Sequence, residues 1–150
     1  MKTSRVIGVL LVVLEVVGIG LFLLCGQTIF SVLGTVTSSG GGEIPIDVDR
    51  QTQVATLTFT FSPRNGGLIA SRVNLGFGVS LTDGSFSVKN TTSVYLLPGA
   101  QEIVSLTIKV PMAKLRDYSN AKGSLDIYTS IITLNDLVRF EYNAKSEGGG

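Results

Sequence analysis

The chain has 150 residues, 44% of them hydrophobic, and a net charge of +1 with Lys and Arg scattered singly. That length holds one domain of roughly 100 residues beside an N-terminal segment, and without a basic stripe to track phosphates a nucleic-acid partner is set aside. There is no histidine, and the single cysteine, Cys25, lies in an apolar run, which removes the commonest general base, the commonest transition-metal ligands and any intrachain disulfide.

Residues 1–5 form a short basic start, expected to be cytoplasmic. From Val6 to Cys25 the chain reads "VIGVLLVVLEVVGIGLFLLC", twenty residues with one ionisable group, Glu15. A helix of that length covers about 30 Å, the thickness of a bilayer's hydrocarbon core. Fifteen of the twenty are Val, Ile, Leu or Phe. At about −0.3 to −0.6 kcal/mol each near the centre, they outweigh an acid costing about +2.5 to +3.5 kcal/mol. A transmembrane helix is expected over 6–30. Lys2 and Arg5 precede the run and the first charge after it is Glu43, so the positive-inside rule places the N-terminus in the cytoplasm and the rest of the chain outside.

Three other readings of this start compete. A cleaved signal peptide has a shorter apolar core and an A-x-A-like site, which is not seen here. "FLLCG" resembles a lipoprotein lipobox, but Leu24 stands where that motif has a small residue. A type IV pilin-like leader is similar in its basic start, Gly and long apolar helix with one Glu. In that pattern the acid is the fifth residue after cleavage, and Gly8 and Glu15 are further apart than that.

On a helix, residues at i, i+3, i+4 and i+7 share a face, which aligns Gly8, Leu11, Glu15, Gly18, Phe22 and Gly26. Small residues let a second helix approach, and a polar side chain there can bond across the contact. The intramembrane helix-packing residues are therefore expected to be Glu15, Gly8, Gly18, Phe22 and Gly26. They face another transmembrane protein or a second copy of this chain, with membrane lipid around the rest. The alternative is a protonated, locally satisfied Glu15 in a plain anchor. Residues 31–42, ending in Gly40, Gly41 and Gly42, read as a Ser/Thr/Gly tether.

From Glu43 the period becomes two. "EIPIDVD" sets Ile44, Ile46 and Val48 on one face, and Pro45 makes it an edge strand. "TLTFTF" alternates Leu57, Phe59 and Phe61 with Thr56, Thr58 and Thr60. "RVNLGFGVSL" turns Val73, Leu75, Phe77, Val79 and Leu81 inward, and its outward Gly76 and Gly78 mark a bulge or a close backbone contact. Turn signals at Pro63 to Gly67, Asp83-Gly84, Pro98-Gly99 and Ser119 to Gly123 separate further strands in "SFSVK", "SVYLL", "IVSLTIKV", "SLDIYTSIITL" and "LVRFEYNAK". "PMAKLRDYSN" breaks the alternation and reads as a helical turn joining sheets. The expected fold is mainly β, an immunoglobulin-like antiparallel β-sandwich of seven to eight strands over 43–143, behind one transmembrane α-helix, with a flexible tail at 144–150.

"LTFTFSPRNGGLIASRVNLGFGVSL" followed by "VYLLPGAQEIVSLTIKVPMAKL" resembles the LEA14 and water-stress WHy domain family over residues 51–143. The family's Asn-Pro-Asn turn is replaced by Ser62, Pro63, Arg64 and Asn65. The resemblance implies an immunoglobulin-like sandwich without catalytic residues, behind a membrane span in several members, with a binding or protective role.

Other constellations are thinner. Asp47 and Asp49 share a strand face and, with Asp83, would offer oxygens to Ca²⁺, although two acids on a solvated edge equally serve solubility. No other metal and no cofactor is expected. Asn90 opens an N-glycosylation sequon in what reads as a surface turn. Charged residues make up 15% of the chain, below the usual quarter, which leans toward burial of the Ser/Thr surface in an assembly. The resulting expectation is a non-enzymatic, membrane-anchored accessory subunit of a membrane or cell-envelope assembly, of a kind that would suit an archaeal envelope. A pilin-like self-assembling filament subunit and a WHy-type ligand-binding module are the alternatives.

Overall fold

A computed structural model of the chain describes residues 2–39, 44–117 and 123–147. Helix α1 runs without a break from Lys2 to Ser39, about 57 Å at 1.5 Å per residue. The tether expected over 31–42 is thus helical as far as Ser39, while Gly40 to Gly42 lie outside the described residues. The reason lies in Cys25, Ile29, Val32 and Val36, spaced at i, i+4, i+7 and i+11. They form one stripe and are buried against the domain that follows, so tertiary packing extends the helix past the uncharged Ser and Thr positions.

That domain is a two-layer antiparallel sandwich. One sheet has the order β1 (Ile46–Asp49), β2 (Val54–Phe61), β5 (Val104–Pro111); the other has β4 (Ser87–Leu96), β3 (Ser71–Leu81), β6 (Gly123–Thr133), β7 (Val138–Glu147). The inward rows are those the period of two picks out. Leu57, Phe59 and Phe61 from β2 and Val73, Leu75, Phe77, Val79 and Leu81 from β3 are all buried. The Phe59 ring lies 4.6 Å from Phe61 and 5.1 Å from Phe77, so aromatic rings fill the space between the sheets. Outside, Thr58 meets Thr107 at 3.4 Å and Thr60 meets Ser105 at 3.1 Å, a row of cross-strand hydroxyl pairs. The helical turn expected in "PMAKLRDYSN" is α2 (Met112–Asp117), which carries the chain from one sheet to the other.

Three details differ from the sequence reading. The strands expected in "SFSVK" and "SVYLL" merge into one, β4, because the intervening Asn90, Thr91 and Thr92 contain no Gly or Pro to break it and two β-branched residues that favour extension. β1 is an edge strand as expected, but all four of its residues, Ile46 and Val48 included, are exposed. And β3 has no bulge at its glycines, since its ladders to β4 and β6 are unbroken. The close-contact reading of Gly76 holds: a Cβ there would sit 3.2 Å from both Lys89 Cε and Thr91 Cγ2 and 3.3 Å from Tyr128 Cβ. The bare backbone lets Lys89 reach the Tyr128 ring, 5.0 Å from its centroid.

The sandwich has two unlike ends. The β2–β3 connection (62–70), the β4–β5 connection (97–103) and the β6–β7 turn (134–137) share one end. The β1–β2 turn (50–53), the β3–β4 turn (82–86) and α2 share the other, where Lys114 Nζ reaches Ser85 Oγ at 3.4 Å.

Candidate functional site: the apolar helix and its joint with the sandwich

α1 is two helices in one. From Ile7 to Leu23 nearly every side chain is exposed, and the helix is long and apolar enough to cross a membrane. From Cys25 to Val36 one face is buried, and Ile29, Val32 and Val36 belong to the same core cluster as Phe59, Phe61 and Phe77. The four-stranded sheet is wider than the three-stranded one, and this half of α1 covers the overhang. Val36 and Thr37 share a cavity of about 170 Å³ with Phe61, Ile127, Thr129, Tyr142 and Ala144.

The joint is fastened by the stretch Arg64 to Gly67. Thr35 Oγ1 accepts from the Arg64 N–H at 2.9 Å, and Ser31 Oγ accepts from the Gly66 N–H at 2.9 Å. At Gly67 the backbone touches the helix directly: an added Cβ would lie 2.6 Å from the Thr28 Cα and 2.7 Å from its Cβ. Moving from Arg64 to Gly67, the loop climbs α1 from Thr35 to Thr28, toward the bare half. Asn65 holds the loop in this path. Its buried side chain donates to the Ile69 carbonyl at 2.8 Å and the Leu96 carbonyl at 3.1 Å, and its Oδ1 accepts from the Gly67 N–H at 3.0 Å. Its main chain pairs with Ala100 and Gly99 across the β4–β5 connection. The Thr28 and Thr129 hydroxyls are buried with no hydrogen-bond partner among the described residues.

Of the expected helix-packing residues, Gly8, Glu15, Gly18 and Phe22 all lie in the bare half, exposed to whatever surrounds the helix, and Gly26 is half-buried at the start of the joint. A Cβ at Gly8, Gly18 or Gly26 would meet nothing within 4 Å. Glu15 makes no hydrogen bond or ion pair to a described residue. At about 100° per residue Glu15 is turned about 70° from the middle of the stripe that docks on the sandwich, while Gly18 lies almost in line with that stripe. A helix packed on Glu15 would therefore run beside the head.

The remaining candidates are dispersed. Asn90 is in the middle of β4, not in a turn, and its Nδ2 donates to the Thr107 carbonyl at 2.9 Å, tying the edge of one sheet to the other. Asp49 accepts from the Thr52 hydroxyl at 2.7 Å and the Gln51 N–H at 2.8 Å, while Asp83 accepts from the Ser85 N–H at 2.9 Å in a different turn. Asp47, Asp49 and Asp83 therefore form no Ca²⁺ cluster, and no group of three or more metal-ligating side chains gathers among the described residues. Asp49 and Asp83 each close their own turn instead. The hydrogen bonds from Thr52 and Gln51 hold the Asp49 carboxyl below its ordinary value. A group with a depressed folded pKa contributes stability above its unfolded pKa and loses it as pH falls through the folded one. Asp49→Ala is accordingly expected to lower the urea midpoint at about pH 7, with the difference from the parent shrinking progressively as the pH is taken below about 4.

Sequence reasoning missed the joint itself. Asn65, Gly66 and Gly67 were legible only as a turn, and the spacing of Cys25, Ile29, Val32 and Val36 was the available sign that the helix continues.

Neither a family model nor a curated protein matches the sequence. Solved structures similar to the chain include Bacteroides uniformis β-glucuronidase 2, at 15% identity and a TM-score of 0.49 over 69% of this chain and 12% of that one. Others are the putative ApaA protein from Bordetella pertussis, at 13% identity and 0.43 over 70% and 89%, and a protein from Archaeoglobus fulgidus, at 12% identity and 0.41 over 70% and 91%. The chain spans only 12% of the glucuronidase's length, and no activity passes from these structures to it.

Proposed function

We propose that this protein is a non-enzymatic structural subunit, anchored by α1 in a membrane with its N-terminus in the cytoplasm and its sandwich outside, serving a membrane or cell-envelope assembly. The observation that carries this reading is the division of α1: one half is bare and apolar, and the other is locked into the core of the head. A head held by a flexible tether takes no fixed direction relative to its anchor. A head sharing one unbroken helix with its anchor transmits the position of one to the other, which suits a building part. The chain has no histidine and its only cysteine is packed at the joint, so neither a Ser–His nor a Cys–His pair is available to argue for catalysis. The WHy-type ligand-binding alternative needs a pocket between the sheets, where the rings of Phe59, Phe61 and Phe77 pack together.

Glu15 is the proposed contact to a partner helix, of another protein or of a second copy. Extraction of the native protein in mild detergent, followed by identification of what co-purifies, tests the assembly. The Glu15→Leu variant is expected to lose the complex while its isolated chain keeps the parent's thermal midpoint. A variant that stays in the same complex would remove Glu15 from the interface. The rigid joint favours one second reading, a pilin-like filament subunit, because helices bundled in a core would then space their heads evenly. Mass spectrometry of the mature N-terminus separates the two: Met1 retained fits the anchored subunit, and processing near Gly8 fits the filament.

A further inference from the structure

We infer that the end of the sandwich from which the bare helix emerges is a lipid-contacting surface that rests in the membrane interface. The inference depends on the reading of α1 as a membrane span. Ile7 to Leu24 is the undocked part of the helix, and its eighteen residues measure about 27 Å, close to one hydrocarbon thickness. Cys25 is the first fully buried residue, and the Gly67 contact to Thr28 comes one turn later. There is thus no length of helix to lift the head away from the bilayer, and the loops beside Gly67 lie at the level where the span ends.

Those loops carry the wrong residues for water and the right ones for an interface. Leu68, the residue after Gly67, is 67% exposed; Leu97, beside the Leu96 carbonyl that Asn65 holds, is 59% exposed; Leu137, at the end of the β6–β7 turn, is 83% exposed. Each comes from a different connection. The β6–β7 turn is fixed to the same end by Thr133 Oγ1 donating to the Ala70 carbonyl at 3.1 Å and by the Arg72–Asp136 pair at 3.5 Å. Tyr95, also exposed, stands opposite Arg72 in the ladder, giving the aromatic and basic residues that border a bilayer.

The opposite end supplies the contrast. Its turns, Arg50 to Gln53 and Thr82 to Ser85, are polar, and the apolar residues beside them, Phe86, Met112 and Leu115, are half-buried against the core, so among the described residues of this end no leucine is exposed. Chance exposure of leucine would not sort to one end, and to the end at which the apolar helix leaves.

The β6–β7 turn adds an independent sign. Leu134, Asn135 and Asp136 have φ of 51°, 50° and 71°, three consecutive residues in the left-handed region, which disfavours L-residues and leucine more than asparagine or aspartate. A type of turn that glycine would relax is instead built from bulkier residues and ends by holding Leu137 outward. Backbone strain retained against such an alternative points to a use for what it presents.

The chain has no tryptophan, so single-tryptophan variants of the full protein report single sites in phosphatidylcholine–phosphatidylglycerol vesicles. Acyl chains brominated near the carbonyl quench indole at the interface, and chains brominated near their middle quench it at depth. Leu97→Trp and Leu137→Trp are expected to lose at least half their emission to the shallow quencher and less to the deep one. Ser85→Trp, at the far end, is expected to lose none to either. Val13→Trp, in the bare helix, is expected to be quenched most by the deep probe. If Val13→Trp is quenched while Leu97→Trp and Leu137→Trp match Ser85→Trp, the span stands and the lipid-contacting surface is overturned. If Val13→Trp is itself untouched, the anchor reading fails and takes this inference with it. All four positions are exposed, so the substitutions leave the core intact.

Discussion

Asn65→Ala is expected to cost the domain about 3 kcal/mol or more, because it strips partners from three groups at once, at about 1–3 kcal/mol for each buried group left unpaired. Those groups are the Ile69 carbonyl, the Leu96 carbonyl and the Gly67 N–H. The measurement is the urea midpoint of the full chain in detergent micelles, which should fall with little change in slope if the unfolded state is unaffected. Asn65→Asp sharpens the test. A carboxylate in that buried place accepts from Gly67 but faces two carbonyls it cannot donate to, so its folded pKa is raised above the unfolded value of about 3.9. Between the two pKa values the native state binds the extra proton, and stability falls as pH rises. The aspartate variant should therefore be more stable at about pH 4 than at about pH 7 relative to its parent, whereas the alanine variant should show no such slope. Equal midpoints for the alanine variant and the parent would mean that Asn65 does not hold the joint.

Gly67→Val should separate the helix from the sandwich without unfolding either. The obstruction is the backbone of α1, since the added Cβ would meet the Thr28 Cα at 2.6 Å. Trimming the side chain by Thr28→Ala cannot make room and is not expected to rescue the variant. Overpacking of this kind costs about 1–3 kcal/mol, and Cys25, the only thiol and buried at the joint, reports it. Its labelling by a small water-soluble maleimide should accelerate by about 10- to 100-fold, at tenfold per 1.4 kcal/mol of lost docking. Gly66→Ala is the graded control. There the added Cβ meets only the Ser31 Oγ, at 2.6 Å, the end of a side chain that can rotate, so the acceleration should be several-fold smaller. If Gly67→Val leaves Cys25 as protected as in the parent, the close approach at Thr28 is not what holds the helix.

The strands were legible because burial on one face writes itself as a period of two, and Leu57 to Phe61 and Val73 to Leu81 point inward as that period requires. A break was expected within β4 where there is none, because a polar run such as Asn90 to Thr92 reads as a turn when nothing indicates that both its neighbours are in the same ladder. The packing of α1 was harder to see. Ser31 and Thr35 fall in the stretch that reads as a polar tether, and Thr28 near the end of the expected span, yet they are the residues that accept the N–H groups of Gly66 and Arg64 and a glycine's approach. Their partners lie some thirty residues on, and a local pattern carries no information about contacts at that separation.

By itself the sequence determined the kinds of element and their order: an apolar helix long enough to cross a bilayer, then alternating strands closing into two sheets, since hydrophobic length and period depend on neighbouring residues alone. Only the tertiary structure decided where the helix stops being free. The overhang of the four-stranded sheet needs cover, and the stripe from Cys25 to Val36 supplies it, turning an expected tether into a rigid joint. The same contact makes the apolar helix leave from the end that carries Leu68, Leu97 and Leu137. Three leucines in three separate connections become one surface through the folding of the strands between them.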